Sequence, residues 1–132
     1  MPARLLLPLS IGAGGALGTW LRLGLADRLP VEPGHWPWPT LIANVVACLL
    51  LGYAATRLLE RLPPSTYRRP LVGTGICGGL STFSTLQVEA IEISRDGHAA
   101  MAVGYVATSI LLGLAAVALA SAAVRRARVR LP

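Results

Sequence analysis

The chain has 132 residues, a formal net charge of +6, 54% hydrophobic residues and only 14% charged ones, and its mean hydropathy is +0.61. This composition is too apolar for a soluble domain of this size and is typical of a small integral membrane protein with one domain, residues 1–132. All twelve basic residues are arginines in short clusters between apolar runs. Because they are not interleaved with aromatic residues on an exposed face, nucleic acid is excluded as the expected partner.

Four apolar segments follow one another along the chain, and each is close to the roughly 20 residues with which a helix crosses a bilayer. The first begins after Arg4 in the manner of a signal peptide, but it continues through Trp20 without a cleavage pattern, so we interpret it as a retained span. The sequence therefore predicts an all-α membrane protein with four transmembrane helices, at about residues 5–25, 39–59, 71–93 and 99–124.

The arginines are unevenly divided between the two sides of this arrangement. The loop after the first segment and the turn after the third hold only Arg28 and Arg95. The N-terminus, the second loop and the C-terminus together hold nine, namely Arg4, Arg57, Arg61, Arg68, Arg69, Arg125, Arg126, Arg128 and Arg130. Since positively charged flanks remain in the cytoplasm, we expect a multi-pass protein of the cell membrane with both termini cytoplasmic.

The sequence offers no constellation that predicts an enzyme. Cys48 and Cys77 lie inside apolar runs without a CxxC spacing, and His35 and His98 lie singly in predicted loops. No Ser/His/Asp set and no carboxylate pair is present in a catalytic pattern. We therefore predict neither catalytic residues nor a metal centre built from cysteine and histidine.

A stretch rich in glycine and hydroxyl groups, GTGICGGLSTFSTLQVE at residues 73–89, lies inside the third apolar segment. Irregular backbone survives at membrane depth only where it is buried in protein or lines a polar path, so this stretch is a candidate ion or solute site. If the helix runs from Ser81, four hydroxyls share one half of its surface. Such hydroxyls either replace part of a hydration shell or bond their own and neighbouring helices. Likewise, Gly78–Gly79 either permit close packing or interrupt the helix and free carbonyls for a hard cation.

Three further residues carry chemistry that an apolar segment does not need. Phe83 presents an electropositive ring edge that can accommodate an anion, with contact to lipid as the alternative. The Asn44 amide either lines a pore or bonds a neighbouring helix. Arg22, late in the first segment, either reaches the interface or supplies a positive vestibule for anions.

With these residues in place, the chain resembles the CrcB/Fluc fluoride channels along nearly its whole length. The resemblance is carried by IGAGGALGTWLR at residues 11–22, WPWPTLIAN at 36–44 and GTGICGGLSTFST at 73–85, which is similar to the family's GFxGGLTTFST signature. Glu89 follows at the family's distance, and GYVATS at 104–109 is a weaker match.

The resemblance implies a fluoride-specific channel for passive export, built as an antiparallel dimer with a break in the third helix and a structural sodium ion. Its partners would be fluoride, membrane lipid and a second subunit. By motif, Gly78 and Ser81 would offer carbonyls to sodium and Arg22 would lie at a vestibule. The pore would be lined by Asn44, Phe83, Ser84, Thr85, Tyr105 and Ser109.

Two departures from the family pattern modify this expectation. Leu86 stands where the family has a second pore phenylalanine. Nine arginines against two should also fix a single orientation, whereas an antiparallel homodimer requires both. We therefore hypothesise a paralogous partner of opposite topology.

The alternatives to a conducting fluoride channel are a non-conducting subunit of a heterodimeric channel and a small four-helix proton-coupled multidrug exporter. The exporter is disfavoured because Glu89 and Glu92 lie late in the third segment and the first two segments have no acidic residue between residues 4 and 27 or 39 and 57.

Overall fold

The computed structural model describes residues 3–60 and 66–127, and every regular element within them is helical. A π-helix, Pro70–Cys77, directly precedes a short α-helix. The α-helices are α1 (Ala3–Arg28), α2 (Trp38–Glu60), α3 (Gly78–Leu80), α4 (Phe83–Arg95) and α5 (Ala99–Arg126). The prediction of an all-helical fold is confirmed for this part of the chain. Arg61, Arg128 and Arg130 of the arginine asymmetry lie outside the described residues, as does the side chain of Arg4.

Two of these helices are long and apolar enough to cross a membrane. They are Trp38–Leu58, with 21 residues and a mean hydropathy of 1.7, and Ala99–Arg126, with 28 residues and a mean hydropathy of 2.1. The two pack closely, since a methyl group on Gly52 of α2 would come within 2.7 Å of the Val117 carbonyl oxygen. Ser121 of α5 also donates a hydrogen bond to the Gly52 carbonyl, 3.4 Å away. The most apolar helices thus form one close pair.

A second close pair joins α1 to the π-helix and α3 through glycines on both sides. A methyl group on Gly14 or Gly18 of α1 would collide with the carbonyl oxygen of Leu71 or Ile76. Space is equally short on the opposite side, where a Cβ on Gly79 would meet the Gly15 backbone. We name these contacts the glycine seam. Close packing, one of the two roles considered for the glycines, therefore applies to Gly79.

Two residues with extended backbone, Ser81 and Thr82, separate α3 from α4. Ser81 has φ −77° and ψ 154°, and Thr82 has φ −150° and ψ 121°. Gly78 remains helical, with φ −66° and ψ −35°. The sequence suggested an interruption at Gly78–Gly79 and a helix from Ser81, but the extended backbone begins three residues after Gly78. Thr82 instead acts as the N-cap of α4, its hydroxyl accepting from the Thr85 N–H at 3.2 Å.

The buried core consists of a larger cluster between α2, α4 and α5 and a smaller one between α2 and α3. One cluster contains Leu41, Leu86, Ile93, Ala102 and Tyr105, and a smaller one contains Ala43, Ala47 and Leu80. Large apolar side chains also cover much of the outer surface of the chain. A surface this apolar requires lipid or another protein to cover it.

Candidate functional site

Asn44 of α2 bonds the extended backbone of Thr82 at both of its polar groups. The side-chain Nδ2 donates to the Thr82 carbonyl at 3.1 Å, and Oδ1 accepts from the Thr82 N–H at 2.7 Å. These bonds replace the helical partners that extended backbone lacks. The interhelical role of Asn44, one of the two considered for it, is therefore observed, while its place in a pore lining stays a prediction.

The end of α3 is held from α1 by two donors. Arg22 Nε lies 3.3 Å from the Gly79 carbonyl oxygen, and Thr19 Oγ1 lies 3.5 Å from the same atom. Carbonyls in the last turn of a helix lack partners within the helix and carry partial negative charge, so a guanidinium is favourable there. The structure thus gives Arg22 a structural contact that the sequence did not predict.

The two carbonyls that the resemblance assigned to sodium differ from the Gly79 carbonyl. Ser81 directs its own N–H and its hydroxyl to the Cys77 carbonyl, at 2.9 and 2.8 Å. Among the described residues, neither the Gly78 nor the Ser81 carbonyl oxygen accepts a hydrogen bond outside the helices, and the Thr82 N–H that a continuous helix would direct to Gly78 bonds Asn44. Two acceptors therefore lie close together in sequence without donors.

Three hydroxyls meet at the start of α4. Thr82 Oγ1 donates to Thr85 Oγ1 at 2.9 Å and lies 3.3 Å from Ser84 Oγ. Ser84 is exposed, whereas Thr82 and Thr85 are half-buried. The predicted track thus includes mutual hydroxyl bonds and leaves Ser84 facing outward.

Glu89 is the centre of a second polar group. Its Oε1 accepts from the Thr40 hydroxyl and its Oε2 from the Tyr105 hydroxyl, both at 2.6 Å. Tyr105 has no exposed surface, and its carbonyl accepts the Ser109 hydroxyl at 2.8 Å. Hydrogen bonds to a carboxylate are short and strong. This triad of Thr40, Glu89 and Tyr105 therefore fixes α2, α4 and α5 against one another.

An indole nitrogen without a partner lies beside the triad. The Trp36 ring meets Tyr105 edge-on, with centroids 5.6 Å apart and planes at 83°. Its Nε1 is the one buried side-chain polar atom without a hydrogen bond in the described part of the chain. A buried indole N–H ordinarily finds an acceptor, so this donor is left unsatisfied within the described part of the chain.

A cleft of about 240 Å³ connects the two polar groups. Arg22 of α1, Thr40 of α2, and Thr85 and Glu89 of α4 all line it. The structure therefore brings the predicted vestibule arginine and one hydroxyl of the predicted track to the same opening. Asn44 does not line this cleft.

Phe83 and Leu86 lie in opposite environments despite their spacing of three residues. The Phe83 ring is 73% exposed, whereas Leu86 is 7% exposed and belongs to the core cluster around Tyr105. The position at which the family has a second phenylalanine is thus inside the core of this chain. Of these two positions, only Phe83 is exposed.

Sequence reasoning missed the triad because its members are far apart in sequence. It treated Glu89 as a spacing marker and as an argument against an exporter, and it assigned no role to Thr40 or Thr19. A carboxylate in an apolar segment is itself a signal, since such groups are paired and functional when they occur at membrane depth. Its partners, 49 and 16 residues away, are visible only in the fold.

A chain whose described part is all helical, with membrane-length apolar helices and internally paired amide, hydroxyl and carboxylate groups, is a helical membrane protein. In residues 3–60 and 66–127, no three His, Cys, Asp or Glu side chains come together as metal ligands. Comparison with known proteins defines the chain further. Residues 9–121 match the sequence profile of the family described as CrcB-like protein, Camphor Resistance (CrcB).

Several curated proteins match the chain over most of its length. The fluoride-specific ion channel FluC 1 of Mycobacterium bovis is 55% identical over 121 residues, which cover 92% of both chains. That of Mycolicibacterium paratuberculosis is 54% identical over the same shares. The fluoride-specific ion channel FluC 2 of Nocardia farcinica is 37% identical over 89% of this chain and 84% of its own. The chain belongs to the CrcB/FluC family, a family of ion channels and not of enzymes.

Proposed function

We propose that this chain is a fluoride-specific ion channel subunit that lets fluoride leave the cytoplasm passively and so reduces fluoride toxicity. The observation that carries the proposal is the match over 92% of the chain to relatives named fluoride-specific ion channels. The exposed Phe83 beside linked hydroxyls supplies the chemistry. Fluoride is small and strongly hydrated, so several weak donors in a narrow path compensate its dehydration without trapping it.

The path that we propose runs along residues from three helices. Phe83, Ser84 and Thr85 contribute from α4, where the ring edge and hydroxyl protons offer positive potential without a fixed charge. By the family resemblance, Asn44 contributes from α2, and Tyr105 and Ser109 from α5. All three side chains are hydrogen-bonded inside the chain, and Tyr105 and Ser109 are buried. Arg22 attracts anions at the opening of the cleft that it shares with Thr85 and Glu89.

We propose that the working unit is an antiparallel dimer, because one chain leaves its polar path open. Phe83 is largely exposed, and a Cβ added at Gly78 would meet no other atom within 4 Å. A second subunit across this face would cover the ring and enclose the hydroxyls. Closed twofold dimers are the commonest way in which proteins bury such a face.

A structural sodium ion fits the same face. The unpaired carbonyl oxygens of Gly78 and Ser81 are hard ligands of the kind that sodium prefers, while Gly79 and Thr82 already have protein partners. Two subunits would contribute both carbonyls twice. When bound, the ion would offset the partial negative charge of these carbonyls at the subunit boundary.

The membrane arrangement in this proposal has four spans. The first is α1, the second α2 and the fourth α5, while the π-helix, α3 and α4 form a third span that is interrupted at Ser81 and Thr82. The excess of arginines places both termini in the cytoplasm of the cell, across its plasma membrane. Interrupted spans supply backbone groups for ions at membrane depth.

The partner that we propose is a paralogous subunit of opposite topology. Arginine asymmetry favours a single orientation for this chain, and an antiparallel arrangement then requires another chain. Leu86 supports the same conclusion, since its burial places an aliphatic group beside Tyr105 where the family has an aromatic ring.

The second candidate function is therefore a non-conducting subunit of a heterodimeric channel. An exporter is disfavoured, because both Glu89 oxygens are occupied by hydroxyl donors.

The test is fluoride efflux from sodium-loaded liposomes containing the full-length chain, alone and with a paralogue. We expect fluoride efflux with chloride retained, and loss of efflux in Phe83→Ile. Leu114→Ile is the matched control. Like Phe83, Leu114 is an exposed apolar side chain, but it lies on α5 and outside the proposed path. Efflux only when the paralogue is present would establish the heterodimer. Efflux that requires the paralogue and survives Phe83→Ile would assign conduction to the partner and this chain to the non-conducting role.

A further inference from the structure

A cavity of about 700 Å³ lies where α1 ends and α2 begins. It is lined by Arg28, Leu29, Pro30, Val31, Glu32, His35, Trp36, Trp38 and Ile42. The cleft of the proposed channel shares only Leu29 and Val31 with it. The cavity therefore has a lining of its own that the fluoride path does not explain.

Two opposite charges face this cavity without pairing with each other. Arg28 is exposed, and the one bond of its guanidinium in the described part of the chain runs from Nη1 to the Gly24 carbonyl, 3.3 Å away. Glu32 is also exposed, and no side-chain bond or ion pair joins it to any described residue. The cavity thus offers one cation and one anion to a ligand that carries the complementary pair.

Apart from His35, the remaining wall is apolar, and it continues down a membrane-length helix. Trp38 is 57% exposed at the first residue of α2, and Ile42 lies one turn further along and is also exposed. Residues four apart share a helix face, so these side chains form one apolar surface that begins at the cavity. Tryptophan at the end of a membrane helix is typical of the level at which lipid headgroups meet acyl chains.

We propose that this cavity binds a zwitterionic phospholipid whose headgroup carries a free ammonium, as in phosphatidylethanolamine. Arg28 binds the phosphate, Glu32 accepts hydrogen bonds from the ammonium, and an acyl chain lies along Trp38 and Ile42. A choline headgroup has no N–H to donate, and an anionic glycerol headgroup gives Glu32 no cation to meet. The proposal depends on the membrane location of the chain and not on fluoride conduction.

The experiment measures which lipids stay with the purified full-length protein. Vesicles contain equal amounts of phosphatidylethanolamine, phosphatidylcholine and phosphatidylglycerol with the same acyl chains, and native mass spectrometry identifies the lipids retained after gentle solubilisation. Because both charges are exposed, we expect the ethanolamine lipid to be retained about threefold over the choline lipid. Glu32→Gln should abolish that preference, and Arg28→Gln should lower retention of both.

Arg95→Gln and Glu92→Gln are matched controls, since they remove the same charges from α4 at positions that do not line this cavity. They line a neighbouring cavity, which shares Val31, Glu32 and His35 with this one. Both control variants should leave the preference for the ethanolamine lipid unchanged.

Equal retention of the ethanolamine and choline lipids by the unaltered protein would overturn the proposal. So would a preference that persists in Glu32→Gln, or an absence of bound lipid, which would mean that another subunit covers the cavity. Thermal unfolding verifies that each variant is folded. Unchanged fluoride efflux in Glu32→Gln would separate this site from the channel path.

Discussion

Gly78 and Gly79, which are neighbours at the start of α3, lie in opposite environments. Gly79 packs against another helix of the same chain, whereas the space beside Gly78 is open. A Cβ at Gly79 would meet the Gly15 backbone of α1, and the Gly79 carbonyl is bonded by Arg22. At Gly78 a Cβ would meet nothing within 4 Å. The glycine seam is therefore a contact completed within the chain, whereas Gly78, Phe83 and Ser84 are exposed positions that no described part of the chain covers.

The same contrast divides the groups of the candidate site into those with partners inside the chain and those without. Both Glu89 oxygens and both backbone groups of Thr82 have partners inside the chain. Within the described residues, the Phe83 ring and the carbonyls of Gly78 and Ser81 do not. Substitutions of groups that have partners inside the chain should change the stability of the chain. Substitutions of groups without such partners should change assembly and conduction, with little change in the fold of the single chain.

The largest effect is expected for Gly79→Ala. A methyl group there has no space beside the Gly15 backbone, and a backbone atom cannot rotate away as a side chain does. Overpacking of a close contact costs about 3 kcal/mol, so the variant should unfold at much lower temperature or fail to accumulate. Thermal unfolding followed by tryptophan fluorescence measures this effect. A Gly79→Ala protein as stable as the unaltered chain would show that the seam is looser than described.

Asn44→Ala should have the next largest effect. It removes both hydrogen bonds to Thr82 and leaves a backbone N–H and C=O unpaired, at a cost of about 1–3 kcal/mol for a buried group. Asn44→Asp is the matched variant, because its carboxylate still accepts from the Thr82 N–H but cannot donate to the carbonyl. We expect its unfolding free energy to lie between those of the other two proteins. If Asn44→Asp and Asn44→Ala were equally destabilised, acceptance from the Thr82 N–H would contribute nothing.

The Glu89 triad should give a smaller and coupled effect. Tyr105→Phe and Thr40→Val each remove one donor from the carboxylate, with an expected loss of about 1–2 kcal/mol. Because both bonds end on the same group, the double variant should lose less than the sum of the single losses. Denaturant unfolding of the four proteins measures the coupling. Additive losses would show that the two hydroxyls act independently on α4.

Hydropathy alone predicted most of the fold, because helix length and apolar content decide where a membrane helix runs. The predicted segments 39–59 and 99–124 correspond to α2, Trp38–Glu60, and α5, Ala99–Arg126. The segment 71–93 was harder, since it contains the π-helix, α3 and α4. Its extended residues are stabilised by Asn44, which lies 38 residues away. No local pattern reports such a bond.

The site was predicted in a similarly uneven way. Motifs identified Arg22, Asn44, Phe83 and Tyr105, because their residue types are unusual in apolar helices or recur in the family signature. Their contacts were not predictable, since the bond from Arg22 to Gly79 and the bonds from Thr40 and Tyr105 to Glu89 depend on how the helices pack. Whether these residues line a fluoride pore remains a prediction.

Gly78→Ala should have the smallest effect on the stability of the single chain and therefore tests the comparison most directly. The added methyl group has open space, and alanine favours a helix over glycine by up to about 1 kcal/mol, so the unfolding temperature should stay the same or rise slightly. The same methyl group projects toward the proposed subunit boundary beside the unpaired carbonyls. Sodium should consequently protect the dimer less in Gly78→Ala than in the unaltered protein, as measured by native mass spectrometry across a sodium titration with potassium as control. A destabilised single chain would show that this face is already filled, and unchanged protection by sodium would place the ion elsewhere.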